Sequence, residues 1–191
     1  MPRHSPYIRG MTLRKIARLG HPVLLAKAEP VGDPTQPEIA RLIEDMLETM
    51  QDAGGVGLAA PQVHESLRLM LAVDPASAAD GNPPTCHVLV DPVLEPVDGE
   101  MEDGFEGCLS IPGLRGLVPR HRRLRWRALD RDGAPVGGMA EGFFARVLQH
   151  EVDHLDGVLY LSRMTDLRQI AFDRELPLLQ AWRSRMEEVQ E

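Results

Sequence analysis

The chain has 191 residues, of which 43% are hydrophobic and 26% charged, and it carries a formal net charge of -8. This length and apolar content suffice for one domain with a buried core, whereas the negative charge disfavours binding to nucleic acid or an acidic membrane surface. No apolar run approaches the roughly 20 residues that span a bilayer, and the N-terminus lacks the apolar segment of a secretory signal, so we expect a cytoplasmic protein without DNA or membrane partners.

The first part of the chain divides at Met11. Residues 1–10 are predicted to be a loose N-terminal extension, and Met11 fits the true start of a single domain that covers residues 11–191. The segment RKIARLGHPVLL (14–25) ends at a Gly and His-Pro turn and is expected to be a short arm.

An amphipathic helix is predicted from Thr35 onward. Thr35 is a candidate N-cap with Glu38 three residues later, and Gly54-Gly55 is a stop signal. Between them, apolar residues recur at helical spacing, at Ile39, Leu42, Ile43, Met46, Leu47 and Met50.

Short strands and two further helices follow. Residues 67–73 and 87–93 are typical of strands, and RLRWRALDRDGAPV (123–136) alternates around an Asp-Gly turn, which predicts a hairpin. Helices are predicted over roughly 140–156 and 170–188. The expected fold is α+β, with short, mostly antiparallel strands wrapped around a central metal-binding helix, an N-terminal helix and a C-terminal helix.

The stretch QHEVDHLDG (149–157) carries two histidines four residues apart, with a glutamate directly after the first. An apolar stripe on the predicted helix continues at the same spacing into these three residues, so we expect them to point into the core. Their neighbours are expected more toward the other side of the helix, at Arg146, Gln149, Val152, Asp153 and Asp156. Burying two imidazoles and a carboxylate unpaired is costly, and a divalent metal compensates them well. The alternative is a chance match on a helix surface.

Two histidines do not complete a catalytic metal site, because such sites usually have three protein ligands and one open position. Tyr160 stands where the third histidine of a longer HExxH protease motif would fall. Glu175 fits a glutamate-ligand protease by spacing, and Cys108 is the other candidate. The two cysteines, Cys86 and Cys108, are expected to be free thiols or metal ligands.

Three segments together resemble the motifs of one known family. GVGLAAPQ (55–62), EGCLSIP (106–112) and QHEVDHLDG (149–157) are similar, in order and separation, to the three motifs of peptide deformylases. The resemblance extends from about Met11 to about Met164.

The resemblance implies a small α+β metallohydrolase that removes the formyl group from the initiator N-formylmethionine of nascent polypeptides, releasing formate and a free amine. Its metal would be one divalent ion per chain, expected to be Fe(II), with Ni(II), Co(II) or Zn(II) able to substitute. Its partners would be N-formylmethionyl nascent peptides, and the ribosome exit region is a further candidate partner, through local contacts only.

The family pattern also implies residue roles. The metal ligands would be Cys108, His150 and His154, and Glu151 would be the general base and acid. The developing oxyanion would be stabilised by the side-chain amide of Gln62 and the backbone N–H of Leu109.

Substrate contacts come partly from the resemblance and partly from helix geometry. Gly55, Val56 and Gly57 would lie beside the substrate peptide, which would pair with them like an added strand. Phe143 and Val147 lie within two turns before the first histidine, so they are expected to line the methionine pocket, although ordinary core packing is the alternative.

Three charged residues are assigned by resemblance alone. Arg115 would touch the substrate backbone, and Glu106 with Arg120 would brace the cysteine loop. Both arginines fit solvated hairpin charges equally well.

Three other functional classes remain compatible with the sequence at this point. A zincin-like peptidase would use His150, His154 and Glu175, and Cys108 would then be replaceable. A thiol hydrolase would use Cys108 as nucleophile and His150 as base without a metal. A non-enzymatic metal-binding module would close the fourth coordination position with another ligand.

Overall fold

Helix α1 spans Pro37–Asp52 in the computed structural model, which describes residues 12–78 and 81–188. Its buried face carries the predicted apolar residues except Leu47, which is partly buried. The predicted cap is wrong: Gln36 is the N-cap, and the Thr35 hydroxyl donates to Asp33 instead, at 2.7 Å. The chain leaves the helix through Gly54, whose φ of +65° suits glycine. The expected extension at 1–10 and the start at Met11 lie outside the described residues.

The described residues contain eight strands, all paired antiparallel. They are β1 (Gly57–Ala59), β2 (Leu69–Asp74), β3 (Thr85–Pro96), β4 (Met101–Cys108), β5 (Ile111–His121), β6 (Arg123–Leu129), β7 (Pro135–Glu141) and β8 (Ile170–Phe172).

These strands form two sheets. A five-stranded sheet has the order β1-β2-β3-β6-β7, so β1 is an edge strand, and the predicted β6–β7 hairpin is present. A three-stranded sheet has the order β4-β5-β8, and the β4–β5 register shifts between Gly107 and Cys108. Gly107 pairs with Arg115 but Cys108 pairs with Ile111, so the cysteine stands at the end of β4 beside the start of β5.

Helix α2, Gly142–Leu155, packs against strands of both sheets. Because it is covered on several sides, Arg146 and Asp153 are buried. Their expected placement away from the core is therefore wrong. The predicted α+β architecture of antiparallel strands around a central helix is confirmed.

The C-terminal helix α3 spans Leu176–Glu188. The expected start near residue 170 is wrong, because Ile170–Phe172 pairs with β5 as strand β8 before the helix begins. Among the described residues, no helix combines the length and the apolarity that crossing a membrane requires.

Candidate metal centre and active site

Two elements bring three potential metal ligands together. The end of β4 presents Cys108, while α2 presents His150 and His154 one turn apart on one face. One ligand atom from each lies within 4.8 Å of the others, and the Cys108 Sγ is 3.2 Å from the His154 Nε2. Within the described residues, these three form the one group of this kind.

The donor set suits a divalent transition metal. A thiolate and two imidazoles are the ligand types that bind zinc and its first-row neighbours, and three such groups converge here among the residues that the structure describes. Burial lowers the pKa of His154 well below its usual range, which favours the neutral imidazole that binds metals. The residues present therefore fit a metal ion with an open coordination position.

Glu106 anchors the first histidine from behind. One carboxylate oxygen lies 2.9 Å from the His150 Nδ1, which leaves the Nε2 for the metal. Arg120 donates to both oxygens of Glu106, at 2.8 and 3.0 Å, and also to Asp153 at 2.6 Å. Burial opposes ionisation of Glu106, but hydrogen bonds from His150 and Arg120 outweigh it and lower its pKa to about 2.

The Glu151 carboxylate lies against the edge strand β1. A Cβ at Gly57 would meet the Glu151 Oε1 and would lie 2.8 Å from its Cδ, so glycine is required for this approach. The other oxygen, Oε2, is buried and has no hydrogen-bond partner among the described residues. Burial raises the pKa of Glu151 to about 7, where a carboxyl group can both accept and return a proton.

Gln62 is buried with its amide fixed at both ends. Its Oε1 accepts from the Ala59 N–H at 2.8 Å, and its Nε2 donates to the Ser110 hydroxyl at 3.3 Å and lies 3.6 Å from the Cys108 Sγ. The NH₂ group therefore faces the ligand cluster. Leu109 follows the cysteine directly, and its side chain would be 2.9 Å from a Cβ at Gly55, across the cavity mouth.

A cavity of about 770 Å³ opens onto these groups, and its lining includes Gly55, Val56, Gly57, Arg115, Phe143 and Val147. Val147 is buried at 6% exposure, one turn before the first histidine. Phe143, expected in the methionine pocket, does line the cavity, but it is 55% exposed at the start of α2, which argues against the alternative of core packing. Arg115 is half-exposed and pairs with Asp173 at 2.9 Å.

Glu175 and Tyr160 decide between the alternatives for the third ligand. Glu175 is exposed and does not belong to the ligand group, so the geometry does not favour the zincin-like peptidase. Tyr160 is buried, and its ring is stacked on His150 with centroids 6.1 Å apart. It packs against a candidate ligand and does not belong to the ligand group.

Three site residues were missed by the sequence analysis. Ser110 lies within the EGCLSIP motif, and its N–H is directed at the Cys108 Sγ at 3.4 Å, so its motif position was an available signal. Tyr160 and Arg146 gave no such signal, because no local pattern shows that Tyr160 stacks on His150 or that Arg146 reaches Glu106.

Known sequences resemble this chain over most of its length. Residues 13–169 match the family described as polypeptide deformylase. Peptide deformylase 2 of Bordetella bronchiseptica is 48% identical over 168 residues, covering 86% of this chain and 94% of that protein. Peptide deformylase 2 of Ralstonia nicotianae is 46% identical over 164 residues, covering 84% and 92%.

Solved structures share the fold. The Met-Ala-Ser-bound class I type b peptide deformylase from Acinetobacter baumannii is 34% identical with a TM-score of 0.74, covering 81% of this chain and 100% of that one. Peptide deformylase from Thermotoga maritima is 37% identical with a TM-score of 0.72, covering 81% and 99%.

Proposed function

Because this chain belongs to the polypeptide deformylase family and is an enzyme that removes the N-formyl group from nascent peptides, we propose that Glu151 carries the reaction beside a divalent ion. The ion would be held by Cys108, His150 and His154. The observation that carries the proposal is the convergence of their ligand atoms within 4.8 Å, next to a buried carboxylate.

Glu151 moves the proton in this proposal. A bound divalent ion would supply Lewis acidity, polarising the formyl carbonyl and lowering the pKa of the attacking water. Glu151 accepts a proton from that water and later returns it to the leaving amine, so formate and a free N-terminus are released. Its raised pKa, about 7, suits both transfers near neutral pH.

Gln62 and Leu109 supply the oxyanion donors. Negative charge develops on the formyl oxygen during attack, and donors fixed in advance stabilise it. The Gln62 NH₂ is held toward the ligand cluster by the Ala59 N–H on its other end. The Leu109 N–H, next to the cysteine, is the second donor in this proposal.

The substrate peptide adds to the edge of β1. Gly55, Val56 and Gly57 line the cavity at an edge with β2 on one side only, which suits pairing with an extended peptide. Val147 lines the methionine pocket, Phe143 lies at its rim, and Arg115 reaches the peptide backbone. The Met-Ala-Ser complex of the Acinetobacter baumannii relative supports a peptide as the ligand of this fold.

The identity of the metal and the cellular setting belong to the same proposal. One Fe(II) per chain fits a thiolate and two imidazoles, and Ni(II), Co(II) or Zn(II) would substitute. Residues 11–191 act as one metallohydrolase domain in the cytoplasm. The partners are N-formylmethionyl nascent peptides, with local contacts at the ribosome exit region.

Metal analysis combined with a formyl-Met-Ala-Ser assay under anaerobic conditions tests the proposal. The wild type should hold one ion per chain and release formate, and Cys108→Ala, His150→Ala and His154→Ala should each lose the ion. Full metal content in Cys108→Ala would show that the cysteine is not a ligand. Activity in a metal-free wild type that alkylation abolishes would support the thiol hydrolase instead.

A further inference from the structure

Arg146 lies on α2 one turn before His150, and it is only 8% exposed. Its Nη1 donates to the Val118 carbonyl at 2.8 Å and to the Glu106 Oε1 at 2.9 Å. Its Nη2 donates to the Glu102 carbonyl at 2.6 Å. A buried guanidinium with this many partners is fixed in one orientation.

The acceptors of Arg146 lie on the hairpin that carries the ligand cysteine. Glu102 and Gly104, whose carbonyl accepts from the Arg146 Nη1 at 3.3 Å, belong to β4, and Val118 on β5 is the direct cross-strand partner of Gly104. Gly104 also makes room for the arginine, because a Cβ there would lie 2.7 Å from the Arg146 Cζ. Arg146 therefore joins α2 to β4 four residues before Cys108.

A second route leads from Arg146 to the metal centre through Glu106. Each oxygen of this carboxylate meets two donors: Oε1 accepts from Arg120 and Arg146, while Oε2 meets Arg120 and the His150 Nδ1. Arg120, on β5, reaches α2 indirectly, through its hydrogen bond to Asp153. Arg146 ties the same carboxylate to the helix that carries the histidine.

We propose that Arg146 is a positioning residue that sets the spacing between Cys108 on β4 and His150 on α2. It acts by fixing the paired backbone of β4 and β5 and the carboxylate of Glu106 to the helix. The inference rests on the metal site proposed above. It assigns to Arg146 no contact with substrate or with the ion.

The variants distinguish the effect of the planar guanidinium from the effect of its positive charge. Arg146→Met keeps an unbranched apolar stem without donors. Arg146→Lys keeps the charge, but one ammonium cannot reproduce the planar fork. Gly104→Ala leaves the arginine in the chain and displaces its guanidinium. Arg163→Met is the matched control, because Arg163 joins the same ionic cluster through Asp153, at 2.6 Å, away from Glu106.

The readouts distinguish positioning from general stability. They are the rate at which the Ni(II) form loses its ion to excess chelator, the thiolate charge-transfer absorption of the Co(II) form, and thermal unfolding of the metal-free proteins. A residue that only stabilises the core would lower the unfolding temperature without changing metal release. A positioning residue changes metal release and the Co(II) spectrum.

We expect Arg146→Met to lose Ni(II) roughly 10 to 100 times faster than the wild type, the range for residues that support metal ligands. Gly104→Ala should also release Ni(II) faster than the wild type, and the release rate of Arg146→Lys should be intermediate. Arg163→Met should release Ni(II) at the wild-type rate. If Arg146→Met does not fold, Gly104→Ala and Arg146→Lys decide the question.

The inference would be overturned if both Arg146→Met and Gly104→Ala released Ni(II) at the wild-type rate. It would also be overturned if Arg163→Met accelerated the release of Ni(II) as much as Arg146→Met does. Cys108→Ala separates this failure from failure of the proposed metal site. If Cys108→Ala retained the ion as the wild type does, the metal site itself would be wrong. If the ion depended on Cys108 but not on Arg146, the role of Arg146 alone would be wrong.

Discussion

Glu151 is a buried carboxyl group whose pKa burial raises to about 7. Because proton transfer is its proposed task, Glu151→Gln should keep the metal and the fold while lowering kcat by about 10²- to 10⁴-fold, the usual share of general acid–base catalysis. Steady-state kinetics on formyl-Met-Ala-Ser, together with metal analysis, measure this. Turnover near that of the wild type would remove Glu151 from the mechanism.

Glu175 offers a matched control for Glu151, because it is the carboxylate that the rival peptidase would use as a ligand. It is exposed on the surface between β8 and α3. Glu175→Gln should therefore retain metal content and activity. Loss of the ion in this variant would favour the peptidase.

Val147 tests whether specificity resides on the buried face of α2. Val147→Phe should obstruct a methionine side chain and raise KM for formyl-Met peptides much more than it lowers kcat, because the lost contact is made about equally in ground and transition states. The preference for formyl-Met over formyl-Ala should shrink by about 1 to 3 kcal/mol.

The formyl-Ala peptide serves as the internal control for the Val147 experiment. The value of kcat/KM should be compared for formyl-Met and formyl-Ala tripeptides on both proteins, with metal content held at one ion per chain. An equal loss on the two substrates would place Val147 in the general core and the pocket elsewhere.

At the scale of elements, the contact between β1 and α2 depends on one glycine. Gly57→Ala would push the edge strand and the Glu151 carboxylate apart, since no space exists for a Cβ between them. We expect kcat to fall about tenfold to a hundredfold with the metal retained, because small displacements of catalytic groups have effects of that order.

Gly99→Ala is the control for the Gly57 experiment. A Cβ at Gly99 would meet nothing within 4 Å, so this variant should keep wild-type kinetics. Both variants should be compared by kcat and metal content. A Gly57→Ala enzyme with unchanged kcat would mean that the strand edge yields without disturbing the carboxylate.

At the scale of the whole molecule, a bound ion would link the second sheet to the central helix, because its ligands come from β4 and α2. Removing it should therefore lower the temperature of unfolding. A site at 100 times its Kd contributes about 2.7 kcal/mol. Thermal unfolding before and after chelation measures the shift, with Cys108→Ala as the comparison. An unchanged Tm after complete chelation would contradict the link.

The proposed Fe(II) also predicts a behaviour of the whole enzyme. Aerobic purification should lower activity as the ferrous ion and its thiolate ligand oxidise, and reloading with Ni(II) should restore a stable enzyme. Activity should be measured on anaerobic, air-exposed and reloaded samples. Unchanged activity of a confirmed iron form after air exposure would argue against this lability.

The sequence by itself determined the local features. Helical periodicity predicted α1 and α2, and the His-Glu-x-x-His spacing placed two candidate ligands and a carboxylate on one face, because residues four apart are neighbours on a helix. The β6–β7 hairpin followed from alternation and its Asp-Gly turn. The resemblance of three motifs added Cys108 as a candidate ligand and indicated the family. The match over residues 13–169 confirmed the family.

Only the tertiary structure decided which residues meet across the chain. A pattern with one apolar face placed Arg146 and Asp153 away from the core, but strands of both sheets cover α2, so these residues are buried in an ionic network. Phe143, in the first turn of α2, is exposed and lines the cavity, whereas Val147, one turn later, is buried. Such contacts join segments distant in sequence, and local periodicity carries no information about them.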